Sequence, residues 1–97
     1  MIKIKAKIKV YEHGRTTSFN SGYRPLFNFI DEMKKSGQIT LIDREKFFPG
    51  DEAEVEIVFL NKRYLGDNLQ CGAKFTFGEG RIALGEGEVR EVCSIDT

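Results

Sequence analysis

The chain reads as an all-β protein, and three patterns carry that reading. Ile2, Ile4, Ala6, Ile8 and Val10 alternate with Lys3, Lys5, Lys7 and Lys9. Ala53, Val55, Ile57 and Phe59 lie on one parity of a second run, with Glu52, Glu54 and Glu56 on the other. Period two puts each set on one face of a strand, whereas a helix would scatter the lysines around its circumference. The third pattern is an absence: no stretch repeats apolar residues at helical spacing. Short β-rich runs instead recur at the intervals of a sandwich or barrel.

Taken in order, the first strand runs from Ile2 to Val10, and each isoleucine buried there contributes about 1.5–3 kcal/mol. Two loops follow, Gly14-Arg15-Thr16-Thr17 and Gly22-Tyr23-Arg24-Pro25. Leu26 to Ile30 is a short aromatic and apolar strand. Asp31 to Gly37 is polar, and Ser36-Gly37 reads as a turn. Gln38 to Ile42 is a β-branched strand, Asp43 to Lys46 a charged loop, and Phe47-Phe48 brings the chain back to the core. The Pro49-Gly50 turn then opens the second alternating strand. Its glutamates are expected to face the lysines of the first, with Lys5 or Lys7 opposite Glu54 or Glu56. Each such pair contributes about 0.2–1 kcal/mol.

Asn61 to Gly72 reads as a long irregular connection, with Gly66-Asp67-Asn68 as turn residues. Ala73 to Phe77 and Arg81 to Leu84 flank Gly78-Glu79-Gly80 as the two arms of a hairpin. The last strand continues through Gly85 and Gly87 to Val92. Glycines two apart in a strand mark a bulge or a bend where another backbone comes close. The expected core holds Ile2, Ile4, Ile8, Val55, Ile57, Phe75 and Phe77.

Ninety-seven residues bound a single domain, 1–97. Folding at that size buries roughly two-thirds of the unfolded chain's surface. Lys plus Arg and Asp plus Glu number 15 each, so no general attraction to nucleic acid is expected. No apolar run approaches the roughly 18 residues of a membrane span. The lysine-interrupted N-terminus is not a signal peptide, and a cytoplasmic protein with reduced Cys71 and Cys93 is expected.

Catalytic readings fail on the residues themselves. Phosphate cradling needs Gly-x-x-x-x-Gly-Lys followed by Ser or Thr, and the chain has no such run. Asn61-Lys62-Arg63-Tyr64 begins like a guanine-reading Asn-Lys-x-Asp but ends in tyrosine, so GTP is not an expected ligand. His13, the sole histidine, stands in a polar loop. With two thiols it gives too few ligands for zinc. Glu52, Glu54 and Glu56 read as a solvated strand face. No catalytic residue, cofactor or metal is expected.

Three landmarks remain, and they come in a telling order. Gly14-Arg15-Thr16-Thr17 leads to Gly22-Tyr23-Arg24-Pro25 and the aromatic Phe27-Asn28-Phe29. Phe48-Pro49-Gly50-Asp51 precedes an alternating strand. Phe75-Thr76-Phe77-Gly78-Glu79-Gly80 runs into Gly85-Glu86-Gly87. From Ile2 to Val92 the chain thus resembles the C-terminal β-barrel domain (domain 3) of elongation factor Tu. The resemblance implies a closed six-stranded antiparallel Greek-key barrel. It also implies a module that presents surfaces to proteins and to aminoacyl-tRNA.

Residue by residue, the resemblance marks Ser36, Lys62, Glu79 and Gly80, with Arg81 beside them, as RNA or partner contacts. Leu26 departs from the pattern, since the family has an RNA-contacting glutamine there; unaltered tRNA binding is therefore not expected. Gly22, Tyr23, Arg24, Pro25, Pro49, Gly50, Asp51, Gly85 and Gly87 are motif positions read as structural. Pro25 fixes its own φ and restricts Arg24, whose planar fork suits neighbouring carbonyls or a carboxylate. A barrel detached from its neighbours exposes surface that they cover. Tyr11, Phe19, Leu26, Tyr64 and Leu65 are the expected apolar interface, met by a protein partner or by a second copy about a two-fold axis. The expected function is a non-catalytic, protein-binding module, with the translation apparatus as one setting. The alternatives are an RNA module with weak, salt-sensitive tRNA binding and a scaffold without translational role.

Overall fold

A computed structural model of the chain describes residues 2–13, 17–29, 34–59 and 70–95. Its strands are β1 (Ile2–Val10), β2 (Leu26–Asn28), β3 (Lys34–Leu41), β4 (Glu52–Phe59), β5 (Lys74–Glu79) and β6 (Ile82–Ile95). They close into a barrel in the order β1-β4-β3-β2-β5-β6, and all six contacts between neighbours are antiparallel. Strands β2, β3 and β4 are sequential neighbours, and β1 lies beside β4, which is a Greek-key order. No helix occurs among the described residues.

The two alternating runs become adjacent strands. Lys5 pairs with Glu56 and Lys7 with Glu54, as the charge pattern predicts. The other side of β1 is acidic as well. There Lys5, Lys7 and Lys9 stand opposite Glu91, Glu88 and Glu86 of β6. The lysine stripe is therefore flanked by carboxylates on both sides. Lys3 reaches Glu56 at 3.4 Å and Lys7 reaches Glu52 at 3.5 Å.

The inward faces supply the core: Ile2, Ile4, Ile8, Val55, Ile57, Phe75 and Phe77 are all buried. Aromatic rings dominate one part of it. Phe27 packs edge-on against Phe59 and Phe75, at centroid distances of 5.2 and 5.6 Å, and lies 5.8 Å from Phe77. So many rings fit a small barrel because glycines lie beneath them. A Cβ on Gly87 would come within 2.5 Å of Phe75 and 2.8 Å of the Lys7 carbonyl oxygen. Gly85 has the same relation to Phe77 and the Lys9 carbonyl. These are the close backbone approaches that paired strand glycines mark.

Two expectations are corrected here. Ser36-Gly37 is not a turn: both residues lie inside β3, with Ser36 opposite Leu26 and Gly37 opposite Phe59. Gly37 is small for packing, since a Cβ there would meet Phe59 at 2.8 Å and Phe27 at 2.9 Å. Phe47-Phe48 divides its labour. Phe47 is buried and stacks on Phe19 at 5.3 Å, while Phe48 stays 52% exposed.

The motif positions make structural bonds. Gly50, with φ of 91°, is the third residue of a turn that the Asp51 N–H closes onto the Phe48 carbonyl at 3.0 Å, the left-handed position that glycine fills in a type II turn. The Asp51 carboxylate accepts from the Phe48 N–H at 2.9 Å and from Arg44 at 3.4 Å. Gly22 and Tyr23 exchange backbone bonds with Ile39, and the buried Pro25 accepts from the Gly37 N–H at 3.3 Å. Together they extend the β2–β3 pairing backwards along β3. Arg24 stays exposed on this run.

Candidate binding surface on the hairpin and the short strand

β2 contributes only three residues, and its middle side chain, Phe27, points inward with no exposure. Its outward side chains, Leu26 and Asn28, are half-buried. Leu26 is a rung between Ser36 on β3 and Gly78 on β5; Asn28 is a rung between Lys34 and Thr76. The β5–β6 hairpin turns just beyond Gly78, at Gly80-Arg81. The Tyr23 hydroxyl donates to Glu79 at 2.7 Å, tying the Gly22–Pro25 loop to the hairpin. Ser36, Leu26, Glu79, Gly80 and Arg81 thus belong to one neighbourhood. Lys62 lies outside the described residues.

Two hollows open on the outer side of this seam. The smaller, about 110 Å³, is lined by Leu26, Asn28, Thr76, Arg81, Ile82 and Ala83 among others. The larger, about 350 Å³, includes Asn28, Thr76, Phe29, Lys74 and Glu86. The Asn28–Thr76 rung is common to both. Ile82, directly after the turn, is 67% exposed, the most open large apolar side chain among the described residues. Asn28 Oδ1 is buried and has no hydrogen-bond partner.

Two described members of the expected apolar interface, Phe19 and Tyr11, are engaged within the barrel itself. Phe19 is 4% exposed and belongs to the core, through its rings with Phe47 and Tyr23 and its backbone bridge to Phe47. Tyr11 is half-buried at the end of β1, and its hydroxyl donates to Glu86 at 2.9 Å. Burial first, then the hydrogen bond and the charge of Glu86, hold this phenol above its ordinary pKa. Of the described members, Leu26 lies on the seam. Tyr64 and Leu65 lie outside the described residues, as do Gly14, Arg15 and Thr16.

Among the described residues the exposed large apolar side chains are instead Ile82, Phe48 and Ile42. Phe48 carried a readable signal: adjacent residues in extended chain point opposite ways, so Phe47 and Phe48 cannot both face the core. Ile82 carried less, since the hairpin's turn falls one residue later than the Gly-Glu-Gly spacing predicts.

No family model matches the chain. The surface is therefore judged on its own chemistry. Cys71 and Cys93 are exposed and unbridged, and His13 is exposed in a turn. Among the described residues, no three His, Cys, Asp or Glu side chains group as metal ligands. The seam offers apolar contact, neutral hydrogen-bonding groups, the cations Lys74 and Arg81, and the carboxylate of Glu86.

Proposed function

We propose that this barrel is a non-catalytic binding module that holds a protein partner on fixed turns of a closed sheet. One observation carries the reading: its open apolar side chains sit on anchored loops. Ile82 follows a turn braced by the Tyr23–Glu79 bond. Phe48 has its N–H bound to Asp51, and its neighbour Phe47 is locked in the core. Apolar groups held rigidly in solvent cost little ordering entropy when a partner covers them, and such groups mark interaction sites. The likeness to the elongation factor barrel, itself a presenter of surfaces, agrees with this reading and makes the translation apparatus one place to look.

A second reading has its own support. Ser36 and the Glu79–Arg81 turn, which the resemblance marks for RNA, lie on either side of the Leu26 rung. Leucine in place of glutamine and a balanced net charge leave it the weaker of the two.

Affinity capture from native lysate tests the proposal, using wild type, Ile82→Asp and Phe48→Asp. At least one specific protein should be retained by wild type and lost by one of the variants. Light scattering on the same proteins identifies the partner if it is a second copy. Retention that neither substitution alters, in a monomeric protein, sinks the reading.

A further inference from the structure

We infer that the barrel opens and closes along the line between β2 and β5, and that the Tyr23–Glu79 bond is its latch. The device follows from an asymmetry in how β2 is held. On the β3 side, pairing continues backwards well past the strand itself. The Gly37 N–H donates to the Pro25 carbonyl at 3.3 Å, and Gly22 and Tyr23 exchange bonds with Ile39 at 2.9 Å. The Leu41 N–H donates to the Ser21 hydroxyl at 2.8 Å. The run from Ser21 to Asn28 is thus bound to β3. On the β5 side the rungs are Leu26–Gly78, Phe27–Phe77 and Asn28–Thr76, and the Tyr23 hydroxyl reaches across to Glu79 at 2.7 Å. The lines on either side of β1 are longer, running from Ile2 to Lys9 against β4 and from Ile2 to Val10 against β6. A sheet parts first where the fewest bonds must break together.

The chemistry of the closed seam points the same way. Asn28 Oδ1 is buried there without a hydrogen-bond partner, and opening gives it water, which removes a desolvation cost of closure. Hollows of about 110 and 350 Å³ lie over the same rungs, so their outer side is not packed. A bulge between Phe77 and Gly78 interrupts the ladder that β5 makes on its other side. Opposing these are aromatic contacts across the line. Phe27 meets Phe75 and Phe77 at 5.6 and 5.8 Å, and Phe29 meets Phe75 at 5.2 Å. Rings clasp the seam from inside, and the tyrosine latches it from outside.

Opening has two consequences. It divides the outer surface, because Leu26 and Ser36 move with β3 while Gly78, Arg81 and Ile82 move with the hairpin. It also converts the barrel into an open sheet in the order β2-β3-β4-β1-β6-β5, whose first and last strands are edges that closure abolishes. The latch therefore sets how often the molecule presents one joined surface and how often two strand edges.

Native-state hydrogen exchange, read amide by amide at a pH where reclosing outruns exchange, tests the device on wild type and Tyr23→Phe. The substitution keeps the ring that packs on Phe19 and removes the hydroxyl. The Pro25 carbonyl faces β3 and the Ala73 carbonyl faces β6, so alternation turns the Leu26, Asn28 and Thr76 amides onto the seam. These should exchange about tenfold faster than Ile4, Ala6, Val55 and Ile57, after correction for intrinsic rates. Tyr23→Phe should speed them about fivefold more. Gly37 and Ile39, bonded on the β3 side, should stay as protected as the longer strands in both proteins. Equal protection of seam and longer strands would mean that the barrel opens only as a whole. Gly37 and Ile39 exchanging together with Leu26 would mean that β2 leaves both neighbours. A Tyr23→Phe effect that is absent, or spread evenly over all amides, would show that the bond is no latch. Each of these overturns the inference, and none involves a partner, so the binding-module reading stands or falls separately.

Discussion

The wall formed by β1, β4 and β6 and the seam formed by β2 and β5 solve the same problem in opposite ways. In the wall, strands of 9, 8 and 14 residues pair along their length. Its lysines lie between glutamate stripes on both sides. In the seam, a strand of three residues bridges its neighbours, and one phenylalanine supplies its burial. Several of the wall's charges pair, Lys3 with Glu56 and Lys7 with Glu52, whereas the seam leaves aliphatic groups facing water. Charge density alone is therefore a poor guide to binding. A dense stripe flanked by opposite charge on both sides serves the fold, while exposed aliphatic groups beside a short strand are open to a partner.

The largest expected effect breaks this comparison at its weakest point. Phe27 is fully buried and touches the rings of Phe59, Phe75 and Phe77. If the seam is held by this side chain rather than by strand length, Phe27→Ala should cost about 3–5 kcal/mol. That is a large share of the roughly 5–15 kcal/mol available to a domain. Urea unfolding reads it as a shifted midpoint. A loss below about 1 kcal/mol would mean that backbone pairing, not the ring, closes the barrel.

A smaller effect probes the wall. Lys5 stands between Glu56 and Glu91, so Lys5→Glu places three carboxylates across adjacent strands. The expected loss is about 1 kcal/mol, since cross-strand pairs at a wet surface are worth little individually. It should shrink in about 1 M salt, where the screening length falls to roughly 3 Å. A loss that salt leaves unchanged would assign the effect to packing of the lysine stem instead.

What was legible in the chain follows the same division. Strands β1 and β4 announce themselves, because a wet face beside a buried face leaves an unbroken period of two. The acidic stripe on β6 is harder to read. Relative to β1, Arg90 and Cys93 are extra residues, so the glutamates fall at 86, 88 and 91 rather than at every second position. A bulge hides the alternation that reveals a strand. Ser36-Gly37 misleads for another reason: turn and packing glycines look alike in sequence, and only the rings of Phe27 and Phe59 show which this is. Phe19 lies in a loop, yet its partner Phe47 is distant in sequence, and nothing local states that they meet. Of the surface, the sequence groups Ser36 with Arg81 and sets Leu26 apart from them, whereas their adjacency and the exposure of Ile82 depend on where the hairpin turns and which strands adjoin.

The subtlest difference between wall and seam lies in two tyrosine–glutamate bonds, and Tyr11 allows one of them to be followed by pH. Its hydroxyl donates to Glu86, and the folded-state pKa is raised by burial, then by that bond and charge. A raised pKa means that the folded protein favours the protonated phenol more than the unfolded chain does. The stabilisation is therefore fully present below the ordinary phenol value of about 10 and is lost as pH rises through the raised folded value. Wild type should lose stability over that alkaline interval more steeply than Tyr11→Phe, which has no phenol to ionise at this position. Below it, the variant should be only slightly less stable, because one partly exposed hydrogen bond is lost. Denaturant unfolding across the alkaline range measures both slopes. Identical slopes would show that in solution neither burial nor the Tyr11–Glu86 bond sets this phenol apart from its unfolded state.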